Sequence, residues 1–548
     1  ATLTAMSPRL APLLALALLA ACERPAAPVV TPPAASGPAL VVPAPIDTGA
    51  VRGIAWQHAS TDAEVDAAFE LARREGKPVL LYWGAEWCPP CNQLKATLFN
   101  RQDFIERSRA FVPVYLDGDR PGAQKLGARF QVRGYPTLVL LSPAGVEMTR
   151  LPGEVDAQQV TQVLTLGMAM QRPLKAVLAD ARAGRPLSAG EWQLLAFYSW
   201  DTAPQDGDDQ PVPRQALPGV LRTLAAACPP AQADASTRLF LKAWALADTK
   251  GPRPDAAARE RFLAVLRSAE SSRVQMDVLA NHAEALARAF APAASRERAA
   301  WADAFDTSLA GLANDATLSR ADRVNAAIAR VQLARLDAPK AQPAGVPQAL
   351  LSDVRELVAR LDRETTDGHE RQAVITAAAY LLREAGAGAE SDALLKANLA
   401  RSHSPYYLMS GLASNAKKRG DVAEALRWSE EAYQRSVGPA TRLQWGASHV
   451  ATLVELAPHD EARIEAAALQ VLREAAAQPN AFYERSARSL KRVGDTLAAW
   501  QKAPGHADAM KRLQGELDAL CAAVPEADAQ RETCRGLLKP APGAKRKA

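Results

Sequence analysis

Cys88 and Cys91 are the residues best suited to chemistry in this chain: two thiols flanking two prolines in Trp87-Cys88-Pro89-Pro90-Cys91, after an apolar run that follows Lys77. A dithiol that exchanges with disulfides needs two sulfurs close enough to bridge, one of them exposed and ionised near neutral pH. C-x-x-C at the start of a helix supplies both requirements. Cys88 would sit at the positive end of the helix dipole, which stabilises its thiolate, with Cys91 one turn inward. Cys88 is therefore the expected nucleophile; its attack gives a mixed disulfide that Cys91 resolves. Structural zinc would need four ligands, but Cys228, Cys521 and Cys534 stand apart and the seven histidines are scattered. No metal and no cofactor beyond the Cys88–Cys91 disulfide is expected. A purely structural disulfide on an inactive scaffold is the competing reading.

The elements that must position the pair are legible on either side. Thr61 and Glu64 form a capping-box pattern, and Val65, Ala68, Phe69 and Ala72 recur at helical spacing, so residues 61–75 should form an amphipathic helix closed by Gly76. A strand over 79–83 follows Pro78. Residues 92–99 continue as a helix with Leu94 and Leu98 on one face, and 110–116 as a strand. Pro113 in that strand must lie where no neighbour needs its missing N–H. A helix over 123–130, strands over 137–141 and 146–151 joined by Ser142-Pro143-Ala144-Gly145, and a helix over 156–170 complete a mixed sheet covered by helices.

Trp87-Cys88-Pro89-Pro90-Cys91 at a strand-to-helix junction, followed by Gly134-Tyr135-Pro136-Thr137, resembles the thioredoxin family. The flanks EGKPVLLYWGAEWC and LKATLFNRQDF look most like the C-terminal periplasmic domain of transmembrane disulfide reductases. The resemblance implies an α/β thioredoxin fold over 53–171 and thiol:disulfide oxidoreductase activity. It also implies that Pro136 is a cis-proline lying against the motif and keeping metal away, that Tyr135 offers backbone groups to a bound peptide, and that Trp87 shields the thiols. Reduction of protein disulfides is the expected direction and would require an inner-membrane electron donor. Oxidase or isomerase activity of the same cysteines stays open, since direction depends on the reduction potential. The sequence also departs from the family. The buried acid expected six positions before the first cysteine is Tyr82, and the lysine that faces it aligns with Tyr115; Glu86 could substitute, though an exposed loop carboxylate is the simpler reading.

Residues 172–538 show helical periodicity without a convincing strand, and Gly388 to Ala393 with Ala400 recurs as Gly420 to Ala425 with Ala432. Small residues so spaced suggest tetratricopeptide-type hairpins, hence an all-α, irregular solenoid that binds a protein partner or packs on the redox domain. Cys521 and Cys534 flank one helical connection and should pair. Cys228, before two prolines, reads as a buried or free thiol. Asp206, Asp208 and Asp209 lack the spacing of a calcium loop. Residues 539–548 should be a disordered basic tail.

At the N-terminus, Met6 as start, Arg9, an apolar stretch over 10–21 and Leu19-Ala20-Ala21-Cys22 resemble a bacterial lipoprotein signal. Residues 1–21 would be removed and Cys22 acylated, anchoring the chain by lipid in the periplasm; Glu23 leaves outer and inner membrane both open. The Pro/Ala-rich stretch 22–52 reads as an extended spacer. A net charge of +5 on 548 residues, with no basic patch among aromatics, argues against nucleic acid. The expected molecule is a lipid-anchored periplasmic disulfide reductase with a helical partner-binding domain; a scaffold lipoprotein with a vestigial redox domain is the alternative from another class.

Overall fold

The computed structural model describes residues 53–151, 156–170, 172–200, 203, 210–248, 251–291, 296–338 and 345–539. Cys22, the signal and spacer, Asp206, Asp208, Asp209 and the tail beyond Lys539 lie outside them. The first part contains strands β1 (Gln57–His58), β2 (Val79–Gly84), β3 (Val112–Asp117), β4 (Thr137–Leu141) and β5 (Glu147–Leu151). They form one sheet in the order β1-β3-β2-β4-β5, with β2 parallel to β3 and antiparallel to β4. Helices α1 (Asp62–Glu75), α2 (Pro89–Thr97), α3 (Gln102–Arg107), α4 (Ala123–Arg129) and α5 (Ala157–Ala169) accompany it. All six residues of β2 are buried, as a strand covered on both faces requires. Its alternation sorts the two cores. Val79, Leu81 and Trp83 join Val65 and Phe69 of α1 and Leu126 of α4, whereas Leu80 and Tyr82 join Leu94 of α2 and Val160 and Leu164 of α5.

Local chemistry explains the boundaries. Thr61 caps α1 through the reciprocal box with Glu64, and Gly76 ends it at φ +65°, where a side chain would be strained. Helix α2 begins at Pro89, ahead of the expected residue 92, because the first helical turn has no use for the N–H groups that prolines lack. Pro113 is accommodated for the same reason. Val112 N donates to Pro78 O beside β2, so alternation turns the Pro113 nitrogen toward short β1, whose pairing begins only at Val114. The two elements not expected, β1 and α3, span only two and six residues, too few to show a period.

From Leu174 to Arg535 every described element is helical. The expected alanine equivalence does not hold. Ala425 and Ala432 are buried, whereas Ala393 and Ala400 face solvent. The equivalent turns are Gly386 and Gly420, both at positive φ and 34 residues apart (420 − 386), which aligns buried Ser391 with Ala425 and Leu394 with Trp428. A left-handed turn glycine fixes the register because the chain reverses there. The core on the α2/α5 face of the sheet continues without interruption into these helices, from Leu80 to Leu538. The helical array is thus built onto the part of the molecule that carries the sheet.

Cys521 and Cys534 are bonded, with Cα atoms 5.6 Å apart, tying helix Ala507–Ala523 to helix Gln530–Arg535. Closing a short loop in the unfolded chain stabilises by about 3 kcal/mol. Cys534→Ser should therefore lower the urea midpoint of the oxidised protein by about that free energy while leaving dithiol-reduced protein nearly unchanged. Equal shifts in both states would show that packing of the sulfur, not the bond, is what matters. Cys228 is buried and its thiol pKa is raised by desolvation, so it behaves as a small core residue.

Candidate active site

The redox pair sits where β2 ends and α2 begins. Cys88 is the N-cap of α2, and its sulfur accepts the Cys91 N–H at 3.2 Å, the first backbone donor of a helix whose two opening residues are prolines. The two sulfurs are bonded, with Cα atoms 5.2 Å apart. The Tyr135–Pro136 peptide is cis, and Thr137 Oγ1 donates to Gly134 O at 2.8 Å to hold that loop. Trp87, Cys88, Pro89, Gly134 and Tyr135 line one cleft of ≈ 470 Å³. The structure therefore brings together Cys88, Trp87 and Tyr135, with Cys91 bonded behind Cys88.

Residues 65–167 match the family described as a thioredoxin-like domain. This chain carries a thioredoxin-like domain. The chain is 33% identical over 113 residues to thiol:disulfide interchange protein DsbD 1 of Pseudomonas aeruginosa, covering 20% of this chain and 19% of that one. It is 35% identical over 102 residues to DsbD 2 of the same organism, covering 18% and 17%. A plant relative, probable nucleoredoxin 1 of Arabidopsis thaliana, is 30% identical over 97 residues, 14% of this chain and 17% of its own. The chain thus spans about a fifth of the length of the curated relatives it matches.

One expectation is overturned by the surroundings of the thioredoxin-like domain. The nucleophile should be exposed, but Cys88 is only 2% exposed and Cys91 fully buried. The helical array covers the face that bears them. Tyr407, from helix Pro405–Arg419, stacks on Trp87 with ring centres 5.8 Å apart. Arg485, from helix Glu484–Trp500, lies over the same indole, 4.4 Å from its centre, and 5.8 Å from the centre of the Tyr135 ring. Asp119 ties these pieces together: it accepts from Trp87 Nε1 at 2.8 Å, from Thr441 N and Oγ1 at 2.7 Å each, and lies 3.5 Å from the Arg485 guanidinium. The close approach needs Gly438 at φ +97°, since a Cβ there would stand 2.6 Å from the Asp119 carboxyl carbon. Gln124 completes the seam, donating to Tyr135 Oη at 2.9 Å and accepting from Arg485 N at 2.9 Å. Short range offers no signal for Asp119, Tyr407, Thr441 or Arg485, because their partners lie from 32 to 398 (485 − 87) positions away.

The back of the motif is held equally firmly. Asn92 donates to Glu86 O at 2.7 Å and Cys88 O at 3.0 Å, leaving its Oδ1 to accept from His369 Nδ1 at 2.7 Å. Burial, then the neighbouring Lys95 charge, holds the His369 pKa below its ordinary value, so the imidazole is neutral near pH 7. Where the family acid and lysine would face each other, Tyr82 and Tyr115 are register partners, their rings stacked at 5.1 Å inside a cluster with Trp56 and Phe99. Tyr82 Oη is buried without a hydrogen-bond partner, and desolvation raises its pKa well above the phenol range. It cannot take a proton as a carboxylate would. Glu86 is exposed on the loop. Asp117, at the end of β3, is the half-buried acid of this end of the sheet; burial raises its pKa against the pull of the Asp119 N–H and of Lys95. Among the described residues no cluster of three or more His, Cys, Asp or Glu is placed to hold a metal.

Asp322 marks the same junction. Its carboxylate accepts from Gln93 Nε2 of α2 at 2.8 Å and from Ser319 Oγ at 2.6 Å, and burial pushes its pKa up to about 6. A carboxyl with a folded pKa above its unfolded value binds its proton more tightly when folded. Its contribution is complete below the unfolded pKa and is lost as pH rises through the folded one. Stability of the wild type relative to Asp322→Asn should fall between pH 4 and about 6, by on the order of 2–3 kcal/mol, and then stay level. Parallel urea titrations across that window check this; identical pH profiles for the two proteins would refute it.

Proposed function

We propose that this protein is a thiol:disulfide oxidoreductase acting as a reductase through Cys88 and Cys91, with the helical array forming one wall of its redox cleft. The observation that carries this is Cys88 as the side-chain cap of α2, opposite the cis-proline loop. Helix-dipole and backbone N–H groups stabilise a Cys88 thiolate, which attacks a substrate disulfide and releases one thiolate. The Cys91 thiolate then attacks Cys88, frees the second substrate thiol and leaves the protein disulfide; an external dithiol supplies the electron pair for the next cycle. With Tyr82 in place of the acid, the proton of Cys91 has to leave by water or by another group such as Asp117.

The deciding experiment is equilibration of the purified mature protein in dithiol redox buffers. A potential near or below about −230 mV supports the reductase, whereas one near −120 mV would make it an oxidase. The burial of Cys88 favours one further reading, in which the disulfide is structural and the array does the work as a scaffold; a pair that stays oxidised below about −300 mV in folded protein would select it. The same proposal places the protein in the periplasm, anchored through acylated Cys22, on the strength of Leu19-Ala20-Ala21-Cys22. Among the described residues no helix is long and apolar enough to cross a membrane. Cys22→Ser should release the protein from the membrane fraction.

A further inference from the structure

The cleft in front of Cys88 has a charge that the dithiol reaction itself does not require. Its far wall is the helix Glu484–Trp500, where Arg485, Arg488 and Arg492 recur at helical spacing and share the face turned toward the cysteine. Arg133, next to the cis-proline loop, lines the near wall. Among the described residues no carboxylate lines the cleft. Arg485 is engaged with Asp119, and Arg488 with Glu484 at 2.7 Å and with Arg133 O at 3.1 Å. Arg492 donates only to Ser448 Oγ, at 3.2 Å, and has no acidic partner among the described residues. The cleft is therefore net cationic, with exposed guanidinium groups at its rim.

Access restricts the occupant as charge does. The cleft, ≈ 470 Å³, is open to solvent, but Cys88 in its lining is only 2% exposed, beside the stacked rings of Trp87 and Tyr407. A disulfide fixed on a folded protein surface would have to displace the array to reach the sulfur; a free disulfide of a few residues would not. Guanidinium groups match carboxylates in paired hydrogen bonds. We infer that the substrate is a low-molecular-weight, carboxylate-bearing disulfide, held by Arg488 and Arg492 while Cys88 attacks it. This rests on the reductase reading and names the substrate class for the same site. Cys88 sulfur bonds to one substrate sulfur as the substrate S–S bond breaks. Cys91 then displaces the second half, so two electrons pass from the dithiol to two carboxylate-bearing thiols, each taking up a proton.

The test uses the reduced full chain against oxidised glutathione (net anionic), hydroxyethyl disulfide (neutral), cystamine (cationic) and insulin. Each second-order rate is divided by that of 2-mercaptoethanol with the same disulfide, which removes intrinsic leaving-group differences. Oxidised glutathione should exceed cystamine at least ~10-fold at low salt, and the ratio should collapse toward one as salt screens the arginines. Arg488→Glu together with Arg492→Glu, both exposed and compatible with folding, should invert the ratio. A charge-independent order, a ratio insensitive to salt in the wild type, or faster reaction with insulin than with oxidised glutathione overturns the inference while leaving a working reductase. Failure to react with any of the four overturns both.

Discussion

Cys88→Ser should lose disulfide exchange by at least about 10³-fold, whichever disulfide is offered, because serine provides no ionisable sulfur at the α2 N-terminus. Cys91→Ser should behave differently. Its Cys88 thiolate still attacks, but the mixed disulfide has no internal resolving thiol. With disulfide in excess and free thiol limited to what the first attack releases, the adduct should accumulate to nearly one per chain. Mass spectrometry of the acid-quenched reaction reads both outcomes and identifies the attached thiol. Turnover by Cys88→Ser equal to wild type would end the enzymatic reading. Adducts of Cys91→Ser carrying proteins rather than small thiols would retain the dithiol chemistry but remove the proposed restriction on substrate size.

Arg485→Ala should be strongly destabilising. The side chain is buried; it donates to Gln444 Oε1 at 2.7 Å and Thr441 Oγ1 at 3.0 Å, faces Asp119, and lies over Trp87. Its removal leaves the mostly buried Asp119 carboxylate, 12% exposed, without its cation, a situation that costs up to about 3–5 kcal/mol. Trp87 loses one of its two covers at the same time, so cysteine exposure and exchange rate should rise even as the urea midpoint falls. Arg485→Lys should not restore either quantity, since an ammonium cannot reach both hydroxyl and amide partners from one planar group. A double-mutant cycle with Asp119→Ala should give a coupling of at least about 1 kcal/mol; additivity would show that the seam is packing alone.

Much of the thioredoxin-like domain was legible because its signals are local. Thr61 with Glu64, Gly76, the two prolines of the motif and the apolar run of β2 each act within a few residues, and each element appears within a turn of its expected place. The helical character of the remainder was legible for the same reason. The repeat register was not, since the alanine spacing matches at 32 residues whereas the left-handed turns at Gly386 and Gly420 stand 34 apart (420 − 386). The replacement of the family's buried acid by Tyr82 was visible in advance. Its stacking on Tyr115 and enclosure by Trp56 and Phe99 were not, because those depend on strand register and on a chain segment with too few residues to show a pattern.

By itself the amino-acid sequence determined the chemistry: two cysteines at helix-capping distance after a buried strand, and a Tyr-Pro loop to face them. Only the tertiary structure decided what can reach that chemistry. Trp87, Asp119, Tyr407, Thr441 and Arg485 come from segments separated by up to 398 positions (485 − 87), and no local preference encodes their meeting. Their meeting follows from burial of one continuous apolar core shared by sheet and helices, which brings an arginine-bearing helix face down over the cysteine pair.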